Sequence, residues 1–357
     1  MQTNPTQERG LPFVSVVLSF YNEAAVIPEL LARLRAVFLS EKDKIGGYEL
    51  IFVNDASTDT SELILRREVD TQGDVVLVNT SRNFGVSECV YAGFRYARGD
   101  VVVYMDADLQ DPPEVISELL ARWRDDVTVD VVYTTRRKRA DEHPLKLLLT
   151  KFGYRFINRI SNVPLPVDSG DFKLLSRRVV DELLRCEERI PYLRGLVSWV
   201  GFKQVAVYYD REPRFDGRTN TKFPVLSQRV IYGYLDRALI SFSDAPLKLA
   251  LLVGFSFATL AALYLVVVLV QKIMGWYVPG WPAIMATMLL LGGIQLIVLG
   301  FIGLYINVIF LEVKKRPNYI VRDVVRADGI EATASPQHRE NFDSAPEGRP
   351  HGDKGSQ

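Results

Sequence analysis

Cysteine is almost missing from this chain of 357 residues: Cys89 and Cys186 stand alone, with no metal-binding spacing around either. Two isolated thiols make no disulfide framework, and they suit a reducing cytosol. Net charge is missing as well. Lys and Arg number 43 and so do Asp and Glu, which excludes the basic excess expected of a nucleic-acid binder. Met1–Gly10 is polar, so no secretory signal peptide is expected there. No internal repeat is visible. Charge of either sign is absent from two long stretches, Leu249–Gln271 and Ile273–Leu311. Each exceeds the roughly 20 apolar residues needed to cross a bilayer.

From about Phe13 to Tyr209 the chain alternates strand-like and helix-like patterns. Phe13–Leu18, Tyr48–Val53, Asp74–Val78, Val101–Met105 and Val129–Thr134 read as five strands, rich in β-branched residues. Between the first two, Ala25–Phe38 puts Ile27, Leu30, Leu31, Leu34 and Phe38 on one helical face. Such alternation predicts an α/β fold, a Rossmann-like, mostly parallel sheet with helices on both faces. Ligands of these sheets bind beyond the carboxyl ends of the strands, so the polar residues that follow each strand are the candidates for chemistry.

Residues 223–244 mix Val225, Ile231, Tyr234, Leu235 and Leu239 with Arg229, Asp236 and Arg237. That pattern predicts amphipathic helices lying in a membrane interface. Two spans are expected next, over 247–270 and 283–311. Trp276, Tyr277 and Trp281 join them, as interfacial aromatics do. Lys314, Lys315 and Arg316 follow the second span, Arg229, Arg237 and Lys248 precede the first, and the connection carries only Lys272. The positive-inside rule then places both chain ends in the cytoplasm. The second span, about 29 residues or roughly 43 Å as a helix, is longer than the hydrocarbon core and is expected to tilt or protrude. From 328 to 357 the chain is polar and low in apolar residues, which predicts disorder.

The strongest chemical signal is the run Tyr104-Met105-Asp106-Ala107-Asp108-Leu109-Gln110-Asp111-Pro112-Pro113-Glu114. Two aspartates directly after a hydrophobic strand can converge on one hard cation, Mg²⁺ or Mn²⁺, which favours oxygen ligands and shares them with substrate phosphates. Such a metal would neutralise charge developing on a leaving diphosphate. Ser19-Phe20-Tyr21-Asn22-Glu23 follows the first strand, and Asn54-Asp55-Ala56-Ser57-Thr58-Asp59 the second. Asp55 could accept from a base N–H and Tyr21 could pack against the base. Ser57 and Asp59 also read as a turn and helix cap. Ser81-Arg82-Asn83-Phe84-Gly85 follows the third strand.

Four consecutive strand ends thus carry polar clusters on one edge of one sheet. The constellation resembles the family 2 glycosyltransferases of the GT-A fold, in the branch that makes polyprenyl-phosphate sugars (the dolichol-phosphate mannose synthase and bactoprenol glucosyltransferase type). The resemblance runs from about Phe13 to Val321, and the runs Asp106–Glu114 and Ser81–Gly85 are its most specific parts. It implies that Tyr21, Glu23, Asp55 and Asp106 bind the donor nucleotide, and that Asp106, Asp108 and Gln110 hold the metal. Asp171, in Ser169–Leu175, matches a position near the acceptor, and Arg194, in Tyr192–Gly195, one near the reaction centre. Arg214 and Lys222 match basic residues that meet the lipid phosphate. The chain departs from the family at Ser19 and Ala56, where proline and glycine are usual. Asn54 stands where aspartate is frequent and Val86 where lysine is. About two extra residues between Gly217 and Lys222 make Arg218 a rival phosphate ligand.

The resemblance implies inverting transfer of a hexose, glucose first, from a nucleotide diphosphate sugar, UDP first, to polyprenyl phosphate at the cytoplasmic face of a bacterial inner membrane. Mannose from GDP-mannose and a modified pentose stay open, and so does a homotetramer. The catalytic trio is expected to be Asp108, Asp171 and Arg194. The expected organisation is a flexible N-terminus (1–10), a catalytic domain (11–222), juxtamembrane helices (223–246), a two-helix membrane domain (247–312), a cytoplasmic segment (313–327) and a tail (328–357). An acceptor phosphate has a second pKa of about 6 and needs little activation, which leaves Asp171 to orient rather than to remove a proton. Processive polysaccharide synthases share the catalytic fold, but they carry a Gln-x-x-Arg-Trp motif and more spans, both absent from this sequence. A lipid hydroxyl as acceptor would make Asp171 an essential base. A noncatalytic scaffold is disfavoured by the intact Asp106 and Asp108, and a transporter by the near absence of charge within the spans.

Overall fold

The computed structural model describes residues 9–137, 169–186, 188–189, 191–217, 245–275 and 280–331. Five strands of the first half are β1 (Phe13–Phe20), β2 (Gly47–Asn54), β3 (Val75–Thr80), β4 (Val101–Asp106) and β5 (Val131–Arg136). Helices α1 (Ile27–Glu41), α2 (Ser61–Gln72), α3 (Val86–Tyr96) and α4 (Val115–Asp125) connect them. Then come β6 (Ser169–Ser176), α5 (Arg177–Arg185), α6 (Leu193–Trp199) and β7 (Gln204–Tyr209).

The sheet runs β7-β5-β6-β4-β1-β2-β3, and two strands from the end of the chain, β8 (Val321–Arg326) and β9 (Gly329–Glu331), extend it beyond β3. The pairs β1–β2, β1–β4, β2–β3 and β5–β7 are parallel. β6 runs antiparallel between β4 and β5, and β8 antiparallel to β3. The mostly parallel α/β sheet is therefore as expected, with two reversed strands that sequence periodicity does not reveal. Both faces are covered. Val14, Val16 and Leu18 pack with α1, α2 and α4 on one side, while Val17, Ile51 and Val53 pack with α3, α5 and α6 on the other. Burial on both faces explains why β1, β2 and β4 read as continuous apolar runs rather than alternating ones. At Gly93 the backbone of α3 lies against β1: a Cβ there would sit 2.2 Å from Val17 Cγ1.

Two long helices follow, α7 (Ala245–Ile273) and α8 (Trp281–Lys314), and each contains one of the expected spans. Among the described residues one stretch, Leu290–Lys314, is long and apolar enough to cross a membrane. The far end of α8 returns to the sheet domain. Glu312 accepts from the Arg189 backbone N–H at 2.7 Å, and Asn318 donates to the Glu188 carbonyl at 2.5 Å. A tail disordered from 328 needs correction, because Gly329–Glu331 pair with β8; residues 332–357 lie outside the described residues. So do 223–244, where the amphipathic helices are expected, and 245–246 already belong to α7.

Candidate active site

β4 and β2 flank β1 on opposite sides: α1 carries the chain from β1 to β2, and α3 carries it from β3 back past β1 to β4, where the strand order reverses. That is the switch point at which an open α/β sheet forms a crevice beyond its strand ends. Ser19 of β1 stands in register with Asp106 of β4, and Phe20 with Asn54 of β2. A cleft of 190 Å³ opens there, lined by Ser19, Phe20, Tyr21, Glu23, Asp55, Val86, Cys89, Asp106, Ala107, Asp108 and Arg214. Six of the sequence-predicted site residues, Tyr21, Glu23, Asp55, Asp106, Asp108 and Arg214, thus meet in one space.

The loops that carry them are stitched together. Asn22, at φ 58, accepts from Thr58 N at 2.7 Å through its side chain, and its own N–H reaches Ser57 Oγ at 3.0 Å. Asp59 accepts from Ala24 N and Ser61 N, the turn expected of it, while the N-cap position of α2 falls to Thr60 instead. Asp55 accepts from Phe84 N at 2.7 Å and Gly85 N at 3.1 Å, which explains the Ser81–Gly85 run: it docks the β3–α3 loop on Asp55.

The acidic run after β4 divides its labour. Asp106 and Asp108 face the cleft, whereas Asp111 is buried and takes the Tyr209 hydroxyl, with Arg211 Nε at 3.2 Å. Glu114 receives both arms of Arg33, which also reaches Glu212. The latter half of the motif therefore fastens the β4–α4 loop to α1 and to the segment after β7. Leu109, at φ 55, turns the chain between the halves. Gln110 serves through its backbone: its N–H donates to Asp108 Oδ1 at 3.0 Å and its carbonyl accepts from Glu212 N at 3.0 Å. It does not line the cleft.

Arg214 reaches back into the cleft. It donates to Glu23 Oε1 and to Asp216, and its Nη1 lies 3.9 Å from Asp108 Oδ2. Burial pushes the Glu23 carboxyl above its usual range, opposed by Arg214, and its second oxygen is buried without a hydrogen-bond partner. Burial also pushes Asp106 up to about 7, helped by the charges of Asp171, Asp108 and Asp111. Among the described residues no group of three or more His, Cys, Asp or Glu is placed to hold a metal. Two carboxylates are nevertheless a fitting donor set for Mg²⁺ or Mn²⁺, which complete their shell with water and substrate phosphate, and crowding of Asp106 by three like charges is what such a cation relieves.

Asp171 and Arg194 form a bidentate pair beside the cleft rather than in its lining. Burial works against ionisation of Asp171, but Arg194 outweighs it and holds the carboxyl below the usual range. Sequence reasoning missed Lys173, a buried lysine on β6 whose pKa burial brings down to about 8. A lysine alternating with Phe172 and Leu174 in a strand was the signal available. Arg136, the last residue of β5, adds its charge near Asp171 and near the Tyr209 hydroxyl. Arg218 and Lys222 lie outside the described residues.

The model of glycosyl transferase family 2 matches residues 15–184. A glycosyltransferase of Bacillus subtilis, itself uncharacterised, is 41% identical over 318 residues, which span 89% of this chain and 94% of that protein. A prophage bactoprenol glucosyl transferase homolog of Escherichia coli is 34% identical over 314 residues, 87% of this chain and 99% of the relative. Among solved structures, glucosyl-3-phosphoglycerate synthase of Mycobacterium tuberculosis aligns with 66% of this chain and 82% of its own, at 21% identity and a TM-score of 0.42, too loose a likeness to support an inference.

Proposed function

This chain belongs to the family 2 glycosyltransferases, in the branch of the polyprenyl-phosphate glycosyltransferases, and on that premise we propose that it transfers a hexose from a nucleotide diphosphate sugar to polyprenyl phosphate. Glucose is the first choice, supported by the relatives named bactoprenol glucosyl transferase, and UDP is the donor nucleotide proposed with it. The observation that carries the reading is the convergence of Asp106, Asp108 and Arg214 in one cleft at the strand ends.

In this reading Tyr21, Glu23 and Asp55 receive the base and ribose, with Asp106 at the ribose and the first phosphate. Asp106 and Asp108 hold Mg²⁺ or Mn²⁺, and Gln110 fixes Asp108 through its amide. Bound there, the cation offsets charge on the diphosphate. Arg214, with Arg218 and Lys222, holds the acceptor phosphate, and Arg194 with Asp171 orients it. A phosphate oxygen forms the new bond to the anomeric carbon as the bond to the diphosphate breaks, and the diphosphate leaves with the electron pair. Both oxygens are already anionic near neutral pH, so no side chain has to move a proton. Attack opposite the leaving group inverts the anomeric centre. Catalysis rests on positioning and charge complementarity.

α7 and α8 are proposed as two spans, with the sheet domain and both termini cytoplasmic at a bacterial inner membrane. The cation excess at Lys314–Arg316 and the return of the chain to β8 support that side. The test is incubation of membranes with a panel of nucleotide sugars, polyprenyl phosphate and Mg²⁺ or Mn²⁺. One donor is expected to give a mild-acid-labile glycolipid with inverted configuration by NMR. Absence of product with every donor would overturn the reading.

A further inference from the structure

Asn54 closes β2, immediately before Asp55. Its buried amide works in both senses: Oδ1 accepts from Ser57 N at 2.8 Å, and Nδ2 donates to Asn79 Oδ1 at 2.9 Å and, at the longer distance of 3.4 Å, to Glu62 Oε2. Asn79, fully buried on β3, donates in turn to Asp323 Oδ2 at 3.0 Å. Asp323 belongs to β8, the strand formed after α8, and it is gripped by Arg66 at 2.6 Å and Arg322 at 2.7 Å. Burial opposes its ionisation, but Arg322, Asn79 and Arg66 outweigh it.

An ionised carboxylate only accepts, whereas a primary amide donates with nitrogen and accepts with oxygen. The direction of a buried amide is set by the network around it. With an acceptor-only group at the far end, Asn79 must turn its nitrogen to Asp323 and its oxygen to Asn54. Asn54 then turns its nitrogen to Asn79 and its oxygen to Ser57, an orientation that the Ser57 N–H and the more distant Glu62 carboxylate also favour. That last bond holds the tight turn through Ala56, at φ 58, which carries Asp55 into the cleft.

We propose that Asp323 is a positioning residue for the donor loop Asn54–Ser57: the strand that follows α8 sets the direction of the two-amide relay that seats Asp55. The inference rests on the nucleotide-donor reading of the cleft. It also accounts for the asparagine at position 54, since a carboxylate there could not donate to Asn79.

The test uses the full-length enzyme in detergent, titrated calorimetrically with UDP-glucose and, in parallel, GDP-mannose in the presence of Mn²⁺, with hydrogen exchange followed over residues 54–58. Asp323→Ala and Asn79→Asp are expected to weaken donor binding about tenfold, the scale of one lost buried hydrogen bond. They also raise exchange in 54–58, raise the donor KM and leave the acceptor KM unchanged. Asp323→Asn keeps an oxygen toward Asn79 and stays within about threefold of the unsubstituted enzyme, although it loses the same charge as the alanine variant. Equal binding by all variants, or Asp323→Asn as weak as Asp323→Ala, overturns the inference alone. No binding by the unsubstituted enzyme of these two or of any other nucleotide sugar in the donor panel overturns the donor reading, and the inference with it.

Discussion

Arg194 grips Asp171 through both carboxylate oxygens, Nε on Oδ1 and Nη2 on Oδ2. The two residues come from different elements, α6 and β6, so the pair ties a short helix to the strand beside β4. A bidentate guanidinium–carboxylate pair is both strong and directional.

Removal of Arg194 is therefore expected to act through Asp171 as well as directly. With Arg194 gone, burial is opposed only by the more distant Lys173 and Arg136, and the Asp171 carboxyl rises. Arg194→Ala is expected to lower kcat about a hundredfold, as loss of one preorganised donor does, and to move the acid limb of the kcat profile to higher pH. In the unsubstituted enzyme the lowered pKa of Asp171 adds stability that is complete above the ordinary aspartate value of about 3.9 and fades as pH falls through the folded value. Thermal unfolding across acid pH checks the sign.

Lys173 titrates in the opposite sense. Its folded pKa of about 8 lies below the ordinary lysine value of 10.5, so the unfolded chain binds more protons between the two. Stability is then expected to rise as pH increases from about 8 toward 10.5. Lys173→Met, similar in length and uncharged, is expected to be more stable than the unsubstituted enzyme at pH 7 and to lose that advantage above pH 9. Melting temperatures of both proteins in detergent over pH 7–10 decide it.

Glu23 and Arg214 depend on one another unequally. Arg214→Ala strands a buried carboxylate whose second oxygen is already unpartnered, whereas Glu23→Gln leaves Arg214 its bond to Asp216. The arginine variant is expected to lose about 1–3 kcal/mol of stability, the cost of an unsatisfied buried group, and the glutamine variant less than about 1 kcal/mol. Urea unfolding measures both. If Glu23→Gln is the more damaging, the pairing is wrongly read.

Chelation is expected to abolish transfer, with recovery on Mn²⁺ or Mg²⁺. Asp106→Asn and Asp108→Asn are each expected to reduce kcat/KM by about 10³-fold, without the loss of stability caused by substitutions at Asp111. Titration with Mn²⁺ followed by electron paramagnetic resonance should show weakened binding in both Asn variants and unchanged binding in Gln110→Ala, whose amide remains.

The strands β1 to β4 were legible because they are buried on both faces, which leaves nearly unbroken β-branched runs. The cleft residues were legible because each follows such a run directly. β6 and β8 were not, since nothing in Ser169–Ser176 or Val321–Arg326 signals a reversed direction; that depends on which neighbours each strand meets. Asp111 and Glu114 looked like part of one acidic motif with Asp106 and Asp108. The motif separates only when Tyr209, Arg211 and Arg33 arrive from elements far away in sequence. Glu23 read as a nucleotide ligand, and its ion pair with Arg214 spans 191 positions that no local pattern connects.

By itself the sequence determined that a two-sided α/β sheet would form, where its strands would end, and that acidic and aromatic residues would gather on that edge. Local periodicity, turn chemistry and the strand-end rule suffice for those. Only the tertiary structure decided which carboxylates face the cleft and which fasten the loop, and that Lys173 lies buried beside Asp171. It alone brought Asp323, from beyond α8, to Asn79 and Asn54. Those outcomes depend on desolvation and on long-range ion pairs, which arise when distant segments share one low-dielectric space and which no window of sequence contains.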